Sequence, residues 1–144
     1  MARALVNKKA RFDYEILETL EAGIELRGYE VKAIREGKVS LVGSHVIIRN
    51  GEAWLLGADV APYQPNNTPE GYDPKRTKKL LLKKEEISDL AVKTHKTGMT
   101  LVPVKIFNKN GKLKLEIALA RHKKKHDKRE TLKKKAAKRE MRNA

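Results

Sequence analysis

Apolar residues recur at every second position from Phe12 to Leu26: Phe12, Tyr14, Ile16, Leu20, Ala22, Ile24 and Leu26 fill seven of the eight even sites, and Glu18 the other. The odd sites run Asp13, Glu15, Leu17, Thr19, Glu21, Gly23 and Glu25, with Leu17 the one clear exception. A helix would scatter these side chains around its cylinder. Period two predicts one long strand, or two joined by a bend at Gly23.

The period changes after Gly28. Val31 and Ile34 are three apart, Glu30, Lys32, Arg35 and Glu36 face elsewhere, and Gly37 suits the position after a helix end, which predicts about two turns of helix. Val46-Ile47-Ile48-Arg49 and Glu52-Ala53-Trp54-Leu55-Leu56 flank Asn50-Gly51, a strong signal for a tight hairpin. Ala61 to Pro74 holds four of the five prolines and is expected to be a long loop. Ile87, Leu90, Ala91 and Thr94 share one face of an amphipathic helix over Lys84 to Thr97. Thr100, Val102, Val104 and Ile106, then Leu113, Leu115, Ile117 and Leu119, alternate around Asn108 to Gly111 as a second hairpin.

The sum is a mainly β fold: an OB-like antiparallel barrel of about six strands with two or so embedded helices. We divide the chain into an N-terminal arm (residues 1–10), the barrel (11–120) and a C-terminal tail (121–144).

Charge changes the picture at that tail. Arg121 to Ala144 holds 12 Lys or Arg against Asp127, Glu130 and Glu140, a net +9 of the chain's +15, which leaves +6 on the first 120 residues. Leu132, Met141 and a few alanines are all it has to bury. Such a segment cannot form a core, so its ordering energy comes from outside, and phosphate backbones are the densest source of negative charge. Glu130 and Lys134 form a favourable i, i+4 pair, whereas Lys123-Lys124-Lys125 and Lys133-Lys134-Lys135 repel themselves. We expect the tail to be disordered alone and helical against phosphate.

Within the barrel, Lys75, Arg76, Lys78, Lys79, Lys83 and Lys84 bracket Leu80-Leu81-Leu82. This is either a strand with solvated flanks or a phosphate-binding stripe. Tyr29, Trp54, Tyr63 and Tyr72 are the candidates for base stacking, with Trp54, in a hairpin strand, read as core. So few aromatics favour recognition of folded RNA by shape over the reading of single strands.

Other chemistry finds little footing. There is no cysteine, no Gly-rich phosphate loop and no nucleophile motif. His122 and His126 sit four apart, but among lysines that would repel a cation. We expect no cofactor, no metal and no enzymatic activity. No secretory signal or apolar span is visible, so a cytoplasmic protein that avoids membranes is expected.

Several segments together resemble a specific family. Asn7-Lys8-Lys9-Ala10, Tyr14-Glu15-Ile16, Glu21-Ala22-Gly23-Ile24 and Gly28-Tyr29-Glu30-Val31-Lys32-Ala33-Ile34-Arg35 are similar to the SsrA-binding proteins (SmpB). So are Gly51-Glu52-Ala53-Trp54, Asp73 to Leu82 and His126-Asp127-Lys128-Arg129-Glu130, in order over nearly the whole chain. The resemblance implies an OB-like barrel and a role in trans-translation, the rescue of ribosomes stalled on messages without a stop codon. The implied partners are the tRNA-like domain of tmRNA, the small-subunit decoding centre and mRNA channel, and elongation factor Tu through the aminoacylated tmRNA complex.

The resemblance places tmRNA contacts on Glu21, Leu81 and Lys83, beside the stripe of Lys75, Arg76, Lys78 and Lys79. It places decoding-centre contacts on His126, Asp127, Lys128 and Arg129, with Lys133, Lys134, Lys138 and Arg139 further along a tail that is helical on the ribosome. His122 stands where relatives carry a hinge glycine, and Ala136-Ala137 supplies no aromatic where some have tryptophan.

Overall fold

The computed structural model describes residues 4–96, 98–124, 129 and 132–136. The strands are β1 (Leu5–Val6), β2 (Tyr14–Ile24), β3 (Val39–Ser40), β4 (His45–Arg49), β5 (Glu52–Leu56), β6 (Asp59–Val60), β7 (Lys78–Leu81), β8 (Met99–Lys109) and β9 (Lys112–His122). The helices are α1 (Lys8–Asp13), α2 (Gly28–Arg35) and α3 (Lys84–Thr94). Hydrogen bonding runs β8-β4-β5-β7-β2-β9 and returns to β8, so six antiparallel strands close on themselves, with β1 added on β8. Closure removes the exposed strand edges that an open sheet would present.

Both hairpins form where the alternation placed them. Asn50 and Gly51 have φ of 53° and 73°, Asn110 and Gly111 of 52° and 79°. Two consecutive positive φ values define the two-residue turn whose twist matches the strands, and Asn-Gly tolerates them. Helix α2 ends as its pattern requires: the Gly37 and Lys38 N–H groups donate to Ile34 and Ala33, and Gly37 takes φ 80°.

Leu17 is the residue at which β2 bulges. The register steps from Ile16↔Ala120 to Glu18↔Leu119, leaving Leu17 extra and exposed. An extra residue swaps the faces of the strand on either side. Tyr14 and Ile16 therefore pack with Ala10, Val102, Val104, Ala118 and Ala120 beneath α1. Leu20, Ala22 and Ile24 pack instead into the barrel interior with Leu115, Ile117, Leu55 and Leu80. A second bulge at Val104 does the same for β8: Val102 and Val104 pack in the cluster beneath α1, whereas Ile106 packs in the barrel interior.

Two expectations are corrected. The described part of the arm expected over residues 1–10 packs on the barrel: Leu5 pairs with Ile106, and Asn7 is buried. The Asn7 carboxamide accepts from the Ala10 N–H (3.2 Å) to start α1, and donates to the Leu41 and Pro103 carbonyls (3.1 and 3.0 Å). Phe12 and Asp13 are helical, so β2 begins at Tyr14. The loop after β6 is pinned, with a 3-10 turn at Pro65–Asn67, the Val60 N–H on the Pro74 carbonyl and the Tyr72 hydroxyl on the Val60 carbonyl. Of the tail, Arg129 and residues 132–136 are helical and exposed, with the Lys135 ammonium 5.8 Å from the Phe12 ring centre.

Candidate nucleic-acid interface

The outer face of the β2–β7 seam gathers Glu21, Leu81 and Lys83. Gly23 pairs with Leu81 at the end of β7; Glu21 lies two residues before Gly23 on β2, and Lys83 two residues after Leu81. A Cβ on Gly23 would lie 3.1 Å from the Leu81 Cβ, so the glycine is what lets Leu81 lie flat across the seam. Leu81 is 53% exposed, an apolar knob in a charged surround. Lys83 is exposed at the start of α3, where its N–H donates to Glu86 Oε1 at 2.9 Å and its ammonium reaches outward. Glu21 is held by Lys109, at 3.0 Å, in a solvent-facing pair. Such pairs contribute about 0–1 kcal/mol, so a competing RNA group displaces one at little cost.

The stripe after the proline-rich loop splits in two. Lys75 is exposed, and Lys79 is half-buried and paired with Glu52 at 3.2 Å. Lys78 is only 1% exposed, with its ammonium donating to the Arg76 carbonyl at 2.8 Å and lying 3.7 Å from Glu30 Oε2. Arg76 grips the same carboxylate with two bonds, Nε to Oε2 at 3.1 Å and NH2 to Oε1 at 2.6 Å. Glu30, also 1% exposed, further accepts the Arg27 N–H at 2.7 Å. Lys78 is thus no phosphate contact, because it is committed to a buried carboxylate, and Arg76 is largely occupied in the same way. Their alternate spacing with Lys75, Lys79 and Lys83 concealed the difference.

The electrostatics of this cluster are asymmetric. Burial pushes the Glu30 carboxyl up, but the Arg76 bonds, the Arg27 N–H and the two cations outweigh it and hold it below the ordinary range. Burial is likewise the largest influence on Lys78, and there it wins, lowering the ammonium despite Glu30. For Arg76 the Glu30 hydrogen bond dominates and raises it. Arg76 is therefore the working partner of Glu30. The cluster ties α2 to the segment leading into β7, so it positions the seam.

The SmpB protein family model matches residues 4–144. The SsrA-binding protein of Thermosynechococcus vestitus is 51% identical over 138 residues, covering 96% of this chain and 91% of that one. That of Chlorobaculum tepidum is 52% identical over 139 residues, covering 96% and 88%. The chain belongs to the SmpB family. A solved structure described as "tmRNA-SmpB: a journey to the center of the bacterial ribosome" superposes with a TM-score of 0.71, at 47% identity over 85% of each chain.

With the SmpB fold in view, residues that the sequence pattern did not single out become apparent. Lys105 and Lys109 on β8, and Lys112 and Lys114 on β9, line the outer face next to Gly23 and Glu21. Their spacing of two or four along alternating strands was the signal available. Lys105 lies 3.6 Å from Glu116 and 5.2 Å from the Phe107 ring centre. Arg35 donates to the Gly111 carbonyl at 2.9 Å, joining α2 to the turn of the same hairpin. Arg35, Leu81, Lys112 and Lys114 border a cleft of about 320 Å³ that also has Ile24, Leu26 and Leu113 in its walls.

The tail leaves the barrel beside α1. His122 closes β9 opposite Tyr14, with ring centres 4.2 Å apart, and the Lys123 N–H donates to the Asp13 carbonyl at 2.9 Å. This histidine extends the β2–β9 ladder to the last residue of β9. Arg129, Lys133 and Lys134 are exposed and helical. His126, Asp127, Lys128, Lys138 and Arg139 lie outside the described residues. Among the described residues no group of three acidic or histidine side chains is placed to hold a metal ion, and no helix is long and apolar enough to cross a membrane.

Proposed function

We propose that this chain binds the tRNA-like domain of tmRNA through the barrel face around Glu21, Leu81 and Lys83, and carries it to stalled ribosomes in trans-translation. The observation that carries this is membership of the SmpB family over residues 4–144, with a 47% identical neighbour whose description names tmRNA and the bacterial ribosome. The physical support is a rigid β barrel whose outer face offers one apolar knob, one carboxylate and a field of lysines. Such a surface suits a folded transcript recognised by its contour.

The tail has a separate task in this reading. His126, Asp127, Lys128 and Arg129, followed by Lys133, Lys134, Lys138 and Arg139, enter the decoding centre and empty mRNA channel in place of a codon–anticodon pair. Phosphates there neutralise the lysine repulsion and extend the helix. Elongation factor Tu joins through the aminoacylated tmRNA, and the protein acts in the cytoplasm as an adaptor without chemistry of its own.

A gel shift of the full chain with tmRNA against excess tRNA at physiological salt tests the first part. The expected result is a shift that tRNA does not compete away. Equal affinity for bulk ribosomal RNA would reduce the protein to a general RNA-binding module. Removing residues 121–144 should leave tmRNA binding within about tenfold and abolish tagging of nascent chains. A loss of binding as large as that of Glu21→Ala or Lys83→Ala would overturn the division of labour.

A further inference from the structure

Trp54, the chain's single tryptophan, was expected in the core and is not there. Its neighbours on β5, Ala53 and Leu55, point into the barrel and are fully buried, so the alternation turns Trp54 outward, where it is half-buried. Opposite it on β4 stands Ile47, and opposite it on β7 stands Lys79. Ile47, Trp54 and Leu56 form the apolar wall of a cleft of about 380 Å³, with Arg49, Asn50, Glu52 and Thr77 at its polar edge. That volume lies within the range of small-ligand clefts, roughly 300–1,000 Å³.

The ordinary role for such a side chain is to staple the hairpin by packing on Ile47, worth about 0.2–1 kcal/mol. It does not account for the surroundings. Arg49 is exposed at the end of β4, and Lys79 lies on the opposite side. An aromatic face with hydrogen-bonding groups and cations at its margin matches a nucleobase with its flanking phosphates. The cleft also adjoins the seam: Ala53 pairs with Leu80, so Glu52, which is held by Lys79, comes across from Leu81 one residue further on.

We infer that the outer face of the β4–β5 hairpin is a stacking site for one unpaired base of the bound RNA. The base lies on Trp54, Asn50 and Thr77 meet its polar edge, and Arg49 and Lys79 take the adjacent phosphates. This rests on the RNA-binding reading above and extends its surface from β2–β7 across β5 to β4.

The single tryptophan makes the test direct. Tryptophan emission and acrylamide quenching are followed while the full chain is titrated with the tRNA-like domain of tmRNA, with a gel shift on the same samples. Quenched emission and protection from acrylamide, saturating together with the shift, are the expected result. Trp54→Ala should weaken binding by roughly 5- to 100-fold, the worth of one stacked base. Trp54→Phe should recover most of the loss, and Trp54→Leu, which keeps the apolar volume without the ring, should not. Unchanged emission at a saturated shift would overturn the stacking site and leave RNA binding standing. So would equal affinities for the Leu and Phe variants, or protection that grows with protein concentration without RNA, which would mark contact between copies. Absence of any shift would overturn the RNA-binding reading and this site with it.

Discussion

Glu30 shows how one residue can decide the roles of two others. Its carboxylate is buried between α2 and the approach to β7, and it takes Arg76 as a two-bond partner and Lys78 as a more distant one. Breaking a buried pair by removing the partner that satisfies the charge costs about 3–5 kcal/mol. Arg76→Met should therefore destabilise the fold by several kcal/mol in urea unfolding. Lys78→Met should change it by no more than about 1 kcal/mol, since burial opposes the Lys78 charge and Glu30 keeps Arg76 and the Arg27 N–H. Equal losses for the two variants would contradict the asymmetry.

The pH dependence follows from the same carboxylate. Glu30 titrates lower in the folded protein than at its ordinary value of 4.5. Its contribution to stability is therefore complete above that value and is lost as pH falls from there through the folded-state value. Thermal unfolding of the wild type between pH 7 and pH 3 should show this loss, and Glu30→Gln should start less stable and show a shallower decline. Parallel curves would mean that other carboxylates govern acid unfolding. Asn7 is a comparable case without charge: three hydrogen bonds converge on one buried side chain, so Asn7→Ala should cost roughly 2–3 kcal/mol.

At the scale of elements, bulges and junctions do what the periodic pattern could only hint at. The exceptional Leu17 was visible in the alternation, and its cause is a register step that passes β2 from one apolar cluster to another. The end of β9 is a second such place. His122 packs on Tyr14, and the Lys123 N–H donates to the Asp13 carbonyl, so the junction itself is held. His122→Gly should remove the ring contact and loosen the exit, giving faster amide exchange at residues 121–124 with little change in barrel stability. Unaltered exchange there would show that the backbone ladder alone holds the junction.

For the whole molecule, charge is distributed by task. The barrel's acids on β2 are each matched by a cation, Glu15 by Arg121, Glu18 by Lys93 and Glu21 by Lys109, while most of the unbalanced charge sits on the tail. If barrel and tail serve different RNAs, their salt responses separate. Affinity for tmRNA should fall with salt along the same slope for the full chain and for residues 1–120. For small-subunit ribosomal RNA the full chain's slope should be steeper, by about 0.7–0.9 for each phosphate that the tail neutralises. Identical slopes on both RNAs would place the tail on neither or on both.

The longer strands β2, β4, β5, β8 and β9, both Asn-Gly hairpins, α2, α3 and the segregation of charge onto the tail were legible in the chain, because each depends on neighbours a few residues apart. Glu21, Leu81 and Lys83 were named through resemblance, and their contact with RNA is a proposal. Closure of the six strands, the incorporation of residues 5–13 and the fates of Lys78 and Trp54 were decided only by tertiary structure. Lys78 and Lys79 are adjacent in sequence, yet the pleat turns one toward a carboxylate 48 residues away and the other toward solvent. Local pattern determines which way a side chain alternates, whereas what it meets there is set by strands brought together across the barrel.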